Sequence, residues 1–93
     1  MLEVGSVVYA TAGRDKHKFY AVIKLGQGEV FIADGKRRKL ENSKRKNVLH
    51  LRPTKTVLES IALKTDKQLR LALRPFNEVA GAQKEQKEGT ELV

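Results

Sequence analysis

Along the first fifty residues short apolar runs alternate with clusters of turn-forming residues, a spacing that belongs to strands. Ser6-Val7-Val8-Tyr9-Ala10 lies between Gly5 and Gly13, and Phe19-Tyr20-Ala21-Val22-Ile23-Lys24-Leu25 is closed by Gly26-Gln27-Gly28. Both are rich in β-branched and aromatic side chains, and they predict strands over about 5–11 and 18–25. Val30-Phe31-Ile32-Ala33 predicts a third strand over 29–33, which leaves through Asp34-Gly35, a pair suited to positive φ in a tight hairpin turn. A fourth short strand is expected to begin near Lys39-Leu40. A fifth covers Asn47-Val48-Leu49-His50-Leu51 and is stopped by Pro53. Some of these strands carry apolar residues on both faces, and so short a sheet left open would expose its edges. The expected architecture is therefore mainly β, a small closed barrel of about five strands.

After Pro53 the period lengthens to about 3.6 residues. Thr56-Val57-Leu58-Glu59 has a capping-box pattern ahead of a short helical turn, with Leu58 and Ile61 as its buried pair. Thr65-Asp66-Lys67-Gln68 repeats the pattern, and Leu69, Ala72, Leu73 and Phe76 then fall at i, i+3, i+4 and i+7. This stripe predicts a short helix that packs on the barrel or on a neighbouring molecule. Pro75 removes a backbone donor, so the helix is expected to end near Arg74. From Ala80 onward there are too few apolar residues to bury, and a flexible tail is expected. The chain divides into a barrel over 1–53, a short helical extension over 54–79 and a tail over 80–93.

Charge changes the picture most. The 93 residues carry 19 Lys and Arg against 11 Asp and Glu, a formal net charge of +8. The excess is uneven: residues 1–53 hold twelve basic and five acidic side chains, net +7, and residues 54–93 hold seven and six, net +1. Within 36–46, seven of eleven residues are cationic, Lys36, Arg37, Arg38, Lys39, Lys44, Arg45 and Lys46, and Glu41 alone opposes them. A block this dense, entered from an apolar strand, is held on a folded surface and would repel itself without a polyanion against it. That chemistry points to nucleic acid.

Other chemistries find little support. No cysteine is present, which excludes disulfides and thiolate metal sites and fits a reducing cytosol, and the N-terminus lacks the pattern of a secretory signal. The apolar runs are too short to span a membrane, so a cytoplasmic protein is expected. His17 and His50 are isolated, with no metal-ligand spacing, and there is neither a nucleophile motif nor a Walker-type glycine loop. No enzyme activity, no cofactor and no small-molecule substrate is expected. Asp15 and Asp34, though set among cations, are read as supports for turns and for neighbouring Arg or Lys side chains. Phe19, Tyr20 and Phe31 can stack on bases, but a barrel this small needs at least two of the three in its core.

The segment Gly5-Ser6-Val7-Val8-Tyr9-Ala10-Thr11-Ala12-Gly13-Arg14-Asp15-Lys16-His17-Lys18-Phe19-Tyr20-Ala21-Val22-Ile23 resembles a KOW motif. With Ile32-Ala33-Asp34-Gly35 and the stretch from Arg38-Lys39-Leu40 to Asn47-Val48-Leu49-His50-Leu51, the likeness extends over about 4–53 to ribosomal proteins of the L14e type and small bacterial KOW-domain RNA-binding proteins. The resemblance implies an SH3-like (KOW) β-barrel whose first turn, with Gly13, Arg14, Asp15, Lys16 and Lys18, and whose basic hairpin lie on RNA, usually ribosomal RNA. One position departs from the motif: His17 stands where glycine is usual, at a site that favours positive φ.

Charge and resemblance together give the expected RNA-binding set: Arg14, Lys16, His17, Lys18, Lys36, Arg37, Arg38, Lys39, Lys44, Arg45 and Lys46. The arginines can clamp phosphates bidentately or stack on bases, while the lysines act as point charges. The expected function is binding of ribosomal RNA or the ribosome. Two alternatives stand beside it: a transient ribosome assembly or hibernation factor, and a protein-interaction adaptor of the transcription or translation machinery using Leu69, Leu71, Ala72, Leu73 and Phe76.

Overall fold

Val7 and Val8 are adjacent in the chain and both fully buried, so the strand that holds them must be covered on both faces. The computed structural model, which describes residues 2–84 and side chains through Glu78, shows how. Five antiparallel strands, β1 (Ser6–Ala10), β2 (Phe19–Leu25), β3 (Glu29–Ala33), β4 (Lys44–Asn47) and β5 (Leu51–Val57), form one sheet in the order β4-β3-β2-β1-β5. Helix α1 (Asp66–Lys84) follows. On one face Val8, Ala10, Tyr20, Val22, Val30, Ile32 and Leu51 make a single cluster. On the other, Val7, Ala21 and Ala33 are covered by Leu69 and Leu73 of α1, with Phe19, Ile23, Leu40, Leu58, Leu63 and Phe76 packed around them.

β4 and β5 are the end strands of the sheet, yet only a 3₁₀ turn at Val48–His50 separates them in the chain. Three residues of 3₁₀ helix rise only about 6 Å, so the two ends of the sheet must come close together and the sheet is strongly curled. Register shifts between Val22 and Lys24 on β2, and between Ser6 and Val8 on β1, provide the bulges that such curvature needs.

β1, β2 and β3 lie within a residue or so of the spacing-based expectation. The second half of the sheet does not. Leu40–Asn42 is a 3₁₀ turn where a strand start was expected, the fourth strand is the charged Lys44–Asn47, and Val48–His50 is a turn. β5 runs through Pro53 to Val57. The proline is tolerated because β5 is an end strand, and because the bulge opposite Val7 is closed by the Thr54 hydroxyl, which donates to the Val7 carbonyl at 2.8 Å. Asp34-Gly35 opens a wide loop, in which the Asp34 and Gly35 amides both donate to the Arg38 carbonyl, and not a two-residue hairpin.

The helical region also departs from expectation. Thr56 and Val57 belong to β5, the next turn is a 3₁₀ segment at Ser60–Leu63, and Ile61 is exposed while Leu58 is half-buried. The Thr65 cap does form, with its hydroxyl accepting from the Gln68 amide at 3.1 Å. α1 then continues through Pro75 to Lys84, past the expected stop and into the expected tail; residues 85–93 of that tail lie outside the described residues. The carbonyl that Pro75 leaves without its donor is that of Leu71, on the exposed side of the helix, where water can serve it.

Contacts on both sides of the proline hold α1 in place. Before it are Leu69 and Leu73; after it, Phe76 packs on Phe19 with ring centroids 5.5 Å apart. Asn77 makes a double hydrogen bond to the Phe19 backbone, Oδ1 accepting from its amide at 2.8 Å and Nδ2 donating to its carbonyl at 3.2 Å. The β2–β3 register would set Phe19 opposite Gly35, where β3 has already ended, so the carboxamide takes the place of the missing strand. Asn77→Ala is expected to lower stability by about 1–2 kcal/mol, because it strands a part-buried amide and carbonyl. The checks are the urea midpoint and faster hydrogen exchange of the Phe19 amide.

Candidate nucleic-acid interface

The first turn, the 34–38 loop and β4 are distant in sequence and meet at one carboxylate. Asp15 is only 1% exposed. Arg38 Nε donates to its Oδ1 at 3.0 Å with Nη2 at 3.5 Å from Oδ2, Lys46 Nζ lies 3.7 Å from Oδ2, and the Tyr20 hydroxyl donates to Oδ1 at 3.3 Å. Burial alone would push this carboxyl up. The Arg38 hydrogen bond and charge, the Lys46 charge and the Tyr20 hydroxyl together outweigh it and hold Asp15 below the ordinary carboxylate range. Tyr20, fully buried and facing the same negative charge, is pushed well above the ordinary phenol range by burial first and then by Asp15.

Each loop has its own local reason for its shape. Gly13 and His17 both take positive φ, +79° and +70°. The histidine accepts the strain because its amide donates to the Ala10 carbonyl at 2.8 Å, and its Nδ1 shares a 3.0 Å hydrogen bond with the Tyr9 hydroxyl. In the second loop Asp34 Oδ1 accepts from the amides of Lys36 and Arg38, each at 2.9 Å, which fixes the backbone that presents the basic run. That loop is anchored to α1 as well: Arg70 Nη1 donates to the Gly35 carbonyl at 3.2 Å, and Asp66 Oδ1 accepts from the Leu40 amide at 2.8 Å.

The expected RNA-binding residues separate into two groups. Lys46 stands apart from the rest, since its side chain is 8% exposed and turned inward, with Nζ donating to the Ala12 carbonyl at 2.8 Å beside Asp15. Arg38 is half-buried, with its guanidinium committed to Asp15. These two cations are paired with Asp15 and shape the surface that carries the others. Arg14, Lys16, His17, Lys18, Lys36, Arg37, Lys39, Lys44 and Arg45 are exposed on the loops and the strand that Asp15 ties together. Among the described residues only Arg45 of these has an acidic partner, Glu29 at 3.6 Å, and both members of that pair are solvent-exposed.

The aromatic residues divide as a small core requires. Tyr20 is fully buried and Phe19 packs between Tyr9 and Phe76, while Phe31 stays half-buried with Lys24 Nζ 5.5 Å from its ring centre. The helical stripe is likewise spent inside the molecule. Leu69 and Leu73 are buried on the sheet, Ala72 and Phe76 are half-buried, and Leu71 alone of the expected protein-contact residues stands out, 46% exposed.

Arg70 and Asn77 had no place in the sequence pattern, and Asp66 entered it only as part of the Thr65 capping pattern, yet all three lock the basic loop and the start of β2 to the helix. Asn77 carried no signal, because nothing in its neighbourhood separates it from any polar helix residue. In comparison with known families and with curated sequences, no family model and no curated protein matches this chain.

Proposed function

We propose that this chain is an RNA-binding module of the SH3-like KOW-barrel type, and that it engages ribosomal RNA through its first turn and its basic loop. The observation that carries the reading is the buried carboxylate of Asp15. It consumes Arg38 and Lys46 in order to hold two loops and β4 together, leaving Arg14, Lys16, Lys18, Lys36, Arg37, Lys39 and Lys44 exposed and without acidic partners among the described residues. Cations carried on loops held this way cost little backbone freedom on meeting a phosphate array, and each contact releases condensed counterions. The curled sheet, with its end strands one short turn apart, supports the barrel reading. The adaptor alternative loses its stripe, since Leu69 and Leu73 are already covered by the sheet.

The test is binding to ribosomal RNA fragments over a salt series. Engaging about six phosphates should weaken affinity on the order of a thousandfold between roughly 50 and 200 mM salt. Replacing Arg37, Lys39 and Lys44 with glutamine together should reduce the logarithmic salt slope by about 3, because each contributes about one phosphate contact. Binding that is absent, or that does not respond to salt, would overturn the reading.

A further inference from the structure

The basic loop does not end at open solvent on its helical side. Between residues 34–36 and α1 lies a cleft of about 380 Å³, lined by Asp34, Lys36, Arg70, Leu71, Leu73, Arg74, Asn77 and Glu78. Its size is at the small end of ligand sites, enough for one nucleotide and too little for a folded partner.

Its lining has the parts a nucleotide needs. Lys36 on the loop wall and Arg70 on the helix wall have no acidic partner among the described residues. Arg70 is also held in place, since one of its nitrogens is bonded to the Gly35 carbonyl. Arg74 is different, being already paired with Glu78 at 3.1 Å. Leu71 is 46% exposed and gives an apolar surface beside those charges. Its carbonyl lacks the helical donor that Pro75 cannot supply, which leaves an acceptor for a hydroxyl. The floor, Leu73 and Asn77, is fixed by packing and by the bonds to Phe19.

We propose that this cleft takes one nucleotide of the RNA bound by the basic loop, with its phosphate between Lys36 and Arg70 and its base or ribose against Leu71. This rests on the RNA-binding reading and extends it: the helix becomes a second wall of the interface. A nucleotide turned out of the main path is gripped on two sides, which suits single-stranded or bulged RNA better than a continuous duplex.

Two charge-matched variants one helical turn apart test it on the full chain, with fragmented ribosomal RNA as the probe. Leu71→Glu places a negative charge in the cleft, whereas Gln68→Glu places one on the exposed helix surface outside its lining. Leu71→Glu is expected to weaken binding about tenfold, and Gln68→Glu less than twofold. With Lys36→Gln added, the double variant should weaken binding by less than the product of the two single effects, because both walls hold the same nucleotide. Circular dichroism melting verifies the fold, and Leu71→Ser gives a second, uncharged probe expected to weaken binding about threefold. If the wild-type chain binds RNA with the expected salt response while Leu71→Glu and Gln68→Glu behave alike, the cleft assignment is overturned and the basic-loop reading stands. If the wild-type chain does not bind at all, both fall.

Discussion

Asp15→Ala is expected to destabilise the fold by about 3–5 kcal/mol, the cost of leaving buried cations without their counter-charge. The loss is large because three partners depend on one group. Lys46, 8% exposed, has only the Ala12 carbonyl left, Arg38 loses its fixed position, and the Tyr20 hydroxyl faces a void. Asp15→Asn keeps the volume and one acceptor and should cost less, with Arg38 still able to use the amide oxygen. Chemical denaturation at neutral pH measures both. A second readout separates this role from ordinary packing: any Asp15 variant that still folds should bind RNA more weakly although every exposed cation remains, because the first turn and the basic loop are no longer held in one arrangement.

The same carboxylate gives the fold a pH signature. Its folded-state pKa lies below the unfolded value, so its contribution is complete above about pH 4, the ordinary aspartate value, and is lost as pH falls through the depressed folded value. Tyr20 acts at the other end. Its folded pKa is raised, so its contribution is complete below about pH 10 and is lost as pH rises further. Urea midpoints should be flat across neutral pH and fall at both extremes. Asp15→Asn should flatten the acid limb, and Tyr20→Phe the alkaline one. An unchanged acid limb in Asp15→Asn would show that other carboxylates carry the acid sensitivity.

How much of this was legible in the chain follows from what each signal encodes. β1, β2 and β3 carry apolar side chains where the core needs them, so alternation found them. β4 reads Lys44-Arg45-Lys46-Asn47, and alternation could not find it, because its inward-facing residue is a lysine whose counter-charge lies thirty-one positions earlier. The cationic surface of the first turn and the basic block, where the candidate interface lies, was visible from charge density. The division of labour inside it was not: nothing local distinguishes Arg38 and Lys46, which build the site, from Arg37 and Lys44, which face solvent. The one available hint was an acid among cations, Asp15, whose reading as a support for neighbouring side chains fits the geometry. Pro75 misled for a related reason, since propensity counts the lost hydrogen bond but not the contacts of Phe76 and Asn77 beyond it.

Gly35→Ala should be the most damaging single-methyl change in the basic loop, costing about 3 kcal/mol or more, with Gly28→Ala as its control. The two glycines have nearly the same backbone, φ +78° and +72°, so the strain of placing a Cβ there, about 1 kcal/mol, is common to both. Their surroundings differ. At Gly28 an added Cβ meets nothing within 4 Å. At Gly35 it collides with the Asp66 carbonyl oxygen and approaches the Arg70 amide to 3.0 Å, both backbone atoms of the first turns of α1 that no rotamer change can move. The difference between the two variants therefore isolates the close approach of loop and helix. Because Arg70 and Asp66 bind that loop, relief of the clash should also pull Lys36 away from Arg70 and open the cleft, so Gly35→Ala should reduce RNA affinity where Gly28→Ala does not. Denaturation and RNA titration of the pair measure both effects, and equal stability losses at the two glycines would show that the loop does not press on the helix.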